Sequence, residues 1–216
     1  MALTRLTGAN AISGEIPAVN FNNDSLTNVT AFPSAVATGD LQFISKQTAS
    51  SSASISFTSG IDSTYKEYVF YFNNIHAQNN DSQFRFNMST DGGSNYNVTK
   101  TTTFFYAYHY ENDSDANLTY VTGGDLAQST NAQPLSYGQG NENDESCSGY
   151  LRLFNPASTT FVKHFIASTN FYNHGNASIN PYIAGYGNTT SAVNGVQFIM
   201  DSGNIDSGDI LLYGVN

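Results

Sequence analysis

The chain has 216 residues, 39% hydrophobic and only 11% charged, with 7 basic against 17 acidic side chains and a net charge of -10. Seven scattered bases make no cationic stripe able to release counterions from phosphate, so nucleic acid is not an expected partner. No apolar run nears the roughly 20 residues that cross a bilayer, and no charged-then-apolar leader opens the sequence, so neither a membrane span nor signal-peptide secretion is expected.

Residues 1–40 satisfy neither a helix nor a strand pattern. Gly, Pro, Asn and Ser recur at short intervals, and the apolar residues between them follow no period. Ile12, Ile16, Phe21, Leu26 and Phe32 therefore find no partner inside the segment. They are the candidate oligomer or anchor contacts. The expectation is an extended stem or anchoring arm ordered by another subunit or a larger particle; the alternative is a disordered leader.

Residues 41–216 read as one head domain built of strands. Leu41–Lys46 alternates, and Ser54–Thr58 alternates strictly. Glu67–Asn73 is apolar on both faces, which predicts a central strand. Gln83–Thr90 places Phe84, Phe86 and Met88 on one face and runs into Asp91-Gly92-Gly93-Ser94-Asn95, a hairpin signal. Thr101–Tyr110 is rich in aromatics, and Leu118–Val121 adds a short strand. Gly149–Phe154, Phe161–Ser168, Ile179–Tyr186, Val196–Met200 and Ile210–Val215 complete about ten strands, with no amphipathic helix. The predicted fold is all-β: an antiparallel β-sandwich or jelly roll with an extended N-terminal arm, a barrel being the competitor. Fourteen Tyr and fifteen Phe argue for a packed head, because each buried ring removes about 150–250 Å² from water.

The chemistry-bearing residues do not assemble into a known reaction centre. Cys147 is the single cysteine, so no internal disulfide and no cysteine-based zinc cluster is expected. His76, His109, His164 and His174 lack metal-ligand spacing, and His164, aligned with Val162 and Ile166, reads as a core or interface residue. The loop acids Glu111, Asp113, Asp115, Glu142, Asp144 and Glu145 have the oxygen ligands calcium takes but not the loop pattern that binds it, and they read as solvated. No nucleophile elbow, phosphate loop or nominated carboxylate pair is present, so no enzyme, catalytic residue, cofactor or metal is expected. The candidate contact surface is Tyr106, Tyr108 and Tyr110 together with Glu142 and Asp144 of the long polar loop 122–148. The tyrosines around His109 suit either a sugar platform or a packed sheet face.

The opening MALTRLTGANAISGEIPAVNFNNDSLTNVTAFPSA, the segment MSTDGGSNYNVTKTTTFF and the ending VQFIMDSGNIDSGDILLYGVN resemble small structural proteins of tailed bacteriophages. The resemblance implies a stem or anchor followed by a sandwich head that forms homotrimers on the outer surface of the virion. It implies a short tail fibre or receptor-binding knob, with a capsid cement or decoration protein at three-fold positions as the alternative. The implied partners are other virion proteins, of the tail or the major capsid, and a host surface glycan. It supplies no catalytic residue. A monomeric carbohydrate-binding sandwich outside any virion is the remaining rival.

Overall fold

The computed structural model describes residues 40–216. The chain divides into units 1–37 and 38–216, and the described residues belong to the second. The anchor candidates Ile12, Ile16, Phe21, Leu26 and Phe32 lie outside the described residues.

Period-two alternation gives each strand one apolar face, and two sheets bury those faces against each other. The larger sheet holds β1 (Leu41–Ser52), β3 (Glu67–Ala77), β5 (Lys100–Tyr110), β6 (Ala116–Tyr120), β8 (Cys147–Phe154), β9 (Lys163–Asn173), β10 (Ala177–Gly187) and β12 (Ile205–Val215). The smaller holds β2 (Ile55–Phe57), β4 (Phe84–Ser89), β7 (Gln133–Pro134) and β11 (Gly195–Met200). Their orders are β1-β12-β3-β8-β9-β10-β5-β6 and β2-β11-β4-β7, antiparallel throughout. The fold is an antiparallel β-sandwich with sheets of unequal width.

Phe198 on β11 stands at the centre of the core. Its ring lies 5.3 Å from Phe70, 5.3 Å from Phe72 and 5.7 Å from Phe84. Phe86 meets Phe165 at 5.0 Å, edge to face, which extends the contact to β9. The predicted face of β4 is borne out: Phe84, Phe86 and Met88 are all buried.

Of three expectations, two need correction and one holds. The turn at Asp91–Asn95 forms, with the Asp91 carboxylate accepting hydrogen bonds from the Asn95 backbone and side chain. Those bonds, with one from Ser89, hold that carboxyl down to about 2. It is not a hairpin, however: β4 pairs with β11 and β7, whereas β5 belongs to the other sheet. The turn is a crossing between layers. Second, β3 is the central strand expected, interior to its sheet with neighbours on both sides, although Tyr71 on its outer face is exposed. Third, β9 turns Lys163, Phe165 and Ala167 inward, so His164 and Ile166 face out. The tight seat of Phe165 against Phe86 sets that register, and a one-residue slip would reverse it.

Candidate functional site: a tyrosine-lined groove

The four-stranded sheet covers only part of the eight-stranded one, and the inner face of β10, β5 and β6 extends beyond it. Tyr106, Tyr108 and Tyr110 line up there along β5. Successive rings meet edge to face, at 6.0 Å and then 5.7 Å. Ladder register places Thr119 and Asn117 of β6 beside Tyr106 and Tyr108, and Ile179 and Ala177 of β10 beside Tyr108 and Tyr110. These side chains form the floor of a groove of about 420 Å³.

Its wall comes from loop 122–148 and the turn between β9 and β10. Tyr137 rises beside Phe104, ring centres 6.2 Å apart. The Gly138 carbonyl accepts from Asn173 Nδ2 at 2.5 Å and lies 3.1 Å from His174 Nδ1. The same imidazole nitrogen lies 3.3 Å from Asp81 Oδ1. Gly138 has φ +83°, and a Cβ there would come within 2.7 Å of the Asn173 amide, so glycine is required on both counts.

The long loop is less of a free loop than its composition suggests. Gln139 is buried, exchanges backbone hydrogen bonds with Ser82 and donates its side chain to the Ile75 carbonyl at 2.6 Å. Gln133, on β7, is also buried: it accepts from Thr102 Oγ1 at 2.6 Å and donates to the Gly124 carbonyl at 2.8 Å. These amides replace the missing strands of the smaller sheet and give the groove a fixed edge.

The predicted contact residues separate. The three tyrosines are half-buried and share the groove, on the face toward the sandwich interior. His109 alternates to the opposite face, where Nε2 lies 3.0 Å from Asp113 Oδ1. Glu142 and Asp144 are exposed on a turn away from the groove lining. Glu145 in that same turn departs from expectation. It is buried and accepts from the Glu142 backbone N–H at 2.6 Å. No group of three or more His, Cys, Asp or Glu side chains among the described residues is placed to hold a metal ion.

Tyr108 Oη donates to Asp115 Oδ2 at 2.6 Å. That bond, with lesser help from desolvation, pushes the phenol up to about 12, so it remains a neutral hydroxyl. The groove thus presents aromatic rings, amides, hydroxyls and the carboxylate of Asp81. That is the mixture of apolar wall and few convergent polar groups by which a small-molecule site fixes its ligand.

Sequence reading missed two lysines that are fully buried. Lys100 donates to Asn87 Oδ1 at 2.6 Å and to the Val98 carbonyl at 2.8 Å. Burial pulls its amine down to about 7. Lys163 reaches the Phe161 carbonyl at 2.6 Å and the Thr189 carbonyl at 3.2 Å, and burial lowers it as well. Both flank Gly187 in the ladder. Strict alternation from Thr102 and Phe165 back to each strand's first residue was the available signal. Cys147 is fully buried, and that burial raises its thiol to about 12.

Comparison with known protein families, with curated proteins and with solved structures found no match to the chain.

Proposed function

We propose that this is a non-enzymatic virion protein of a tailed bacteriophage, a short tail fibre or receptor-binding head, that holds a neutral host-surface glycan in the tyrosine groove. The observation that carries the binding reading is the Tyr106-Tyr108-Tyr110 ladder, left half exposed at a place walled by Asn173 and Tyr137. Tyrosine faces accept the apolar C–H face of a pyranose, while neighbouring amides and hydroxyls pair with its hydroxyl groups. The charge on the site selects among sugars. Asp81 and Asp115 stand at the groove of a chain with net charge -10, so an anionic sugar pays a repulsion that a neutral one does not. The virion setting rests on the sequence resemblance. Several heads on one particle would turn weak single-site binding into firm attachment.

The test is titration calorimetry of the full chain with neutral gluco-, galacto- and manno-oligosaccharides, with a sialylated oligosaccharide as the anionic control. Tyrosine fluorescence gives a second readout, since the chain has no tryptophan. Binding to a neutral sugar, weakened about tenfold or more by Tyr108→Ala at unchanged secondary structure, supports the reading. Binding that survives Tyr108→Ala, or no binding to any of these sugars, removes the groove from the proposal. Particles carrying that variant and adsorbing normally would remove receptor binding.

A further inference from the structure

We infer that the outer face of the eight-stranded sheet is an interface between copies of this chain. A solvated antiparallel sheet normally alternates apolar inward with polar outward. This one does not. Ladder register aligns Tyr120, Phe105, Tyr182, Tyr150 and Tyr71 in a row across the outer face, with Ser168 between Tyr182 and Tyr150. Phe105 and Tyr182 stack at 5.5 Å with planes 14° apart, and both are exposed. A second row carries Phe43, Tyr213 and Ile166; Phe43 is 59% exposed and Ile166 46%. Tyr213 links the rows, 5.5 Å from Phe43 and 5.7 Å from Tyr71.

Three observations make a second copy the occupant. The first is extent. Eight strands spaced about 4.8 Å apart and up to twelve residues long, with β6 and β8 shorter, give a face of roughly 1,000 Å². A standard interface takes about 800 Å² from each partner. The second is charge. The two cations in these rows are neutralised, Lys46 by Asp209 at 3.2 Å and Arg152 by Glu67. A chain of net charge -10 repels its own kind over most approaches, and this face lets two copies meet without that penalty. A strongly cationic partner, which the rest of the surface would attract, gains nothing here. The third is shape. Beside the Phe105–Tyr182 ridge, Thr103, Ala184 and Ile166 line a mainly apolar hollow of about 500 Å³. Ridge and hollow on one surface are what a self-complementary contact requires. The ridge of each copy seats in the hollow of the next, pairing two copies if the contact is reciprocal and closing a ring of three if it runs head to tail.

This inference is independent of the glycan groove, which opens on the opposite face of the same sheet. The experiment is sedimentation velocity on the full chain over a micromolar concentration series, for the wild type and for Phe105→Ser/Tyr182→Ser. The expected result is a wild-type mass at two or three times 23.3 kDa and association weakened about a hundredfold in the double variant. Circular dichroism confirms that the variant is folded. If it is not, Ile166→Asn, a change at the far rim of the hollow, is the substitute. A single-chain mass for the wild type at every concentration would overturn the inference, whether residues 1–39 or another protein then covers the face. So would an assembly indifferent to these substitutions.

Discussion

β3 and β5 have the same length and nearly the same wealth of aromatic residues, but they meet different neighbours. β3 turns Tyr68, Phe70 and Phe72 inward beneath the smaller sheet, and all three are buried. From Phe104 on, β5 turns Tyr106, Tyr108 and Tyr110 inward, and these stay half exposed where the smaller sheet has ended. Under complete cover the inward rings are mostly phenylalanine. At the overhang each becomes tyrosine, whose hydroxyl keeps one rim of the ring hydrated or bonded. Tyr68 obeys the same physics from inside, because its hydroxyl finds the Asp62 carbonyl at 3.1 Å and the Asp62 N–H at 3.0 Å. A groove results where an aromatic strand outruns the layer that would bury it.

The sharpest way to break that contrast is to truncate one ring from each region. Phe198→Ala removes the residue that the rings of Phe70, Phe72 and Phe84 surround, and should cost about 3–5 kcal/mol in urea unfolding. Tyr110→Ala, at the open end of the ladder, should cost about 1 kcal/mol, near the middle of the range for ordinary substitutions. Equal costs would mean that the overhang is packed as tightly as the core and that no groove exists in solution.

The pH dependence of stability probes the covered region through Lys100. Its amine titrates near 7 when folded and near 10.5 when unfolded. Between those values the unfolded chain holds a proton that the folded chain has released, so stability rises with pH through this window. It falls as pH drops toward 7, and this contribution levels off below that. The slope reaches about 1.4 kcal/mol per pH unit at most for one group. Lys163 acts in the same direction. Above about 10 the tyrosines oppose it, because folding raises Tyr68, Tyr106 and Tyr108 and so favours their protonated forms. Denaturant unfolding from pH 6 to 10 should therefore show a rising limb, and Lys100→Met should flatten it. A flat wild-type profile would mean that the amine stays charged and solvated.

Much of the architecture was legible because alternation is a strong signal. Residues such as Phe84, Phe86 and Met88 declare their face, and the sandwich follows from enough such strands. Pairing is a different matter. The Asp91-Gly92-Gly93 turn looks like a hairpin locally, and only the competition of β11 for β4 decides that it crosses between sheets. β7 was invisible because Gln133 and Pro134 carry no strand pattern; the pairing comes from a loop that runs beside β4. The tyrosines of the site were legible as a cluster, but not as a groove. Their exposure depends on where the smaller sheet stops, which is a property of the packed layers. Glu142 and Asp144 fell away from the site because proximity in composition is not proximity in space. Lys100 was missed because a lysine at the very start of a strand ordinarily reads as an exposed end, and Lys163 because the face of Val162, His164 and Ile166 was read as the inner one; here backbone carbonyls receive both amines.

The smallest expected effect lies in the groove itself, at the bond between Tyr108 and Asp115. Replacing the carboxylate by an amide removes the negative acceptor that holds the phenol at about 12. In Asp115→Asn the hydroxyl keeps a neutral acceptor, so the ring stays in place while its titration moves back toward 10, the ordinary value for tyrosine. Tyrosinate absorbance followed through an alkaline titration should show one late-ionising phenol fewer in the variant than in the wild type. The linkage has a definite sign. The raised phenol contributes its stability in full below about 10, and the fold loses that contribution as pH climbs from 10 to 12, because the unfolded chain then releases a proton that the folded chain keeps. The wild type should therefore lose more stability than the variant between about pH 10 and 12, because the variant's phenol no longer differs between the folded and unfolded chains. Identical alkaline curves would mean that Tyr108 and Asp115 do not meet in solution, and the hydroxyl would then be free to bond a ligand from the start.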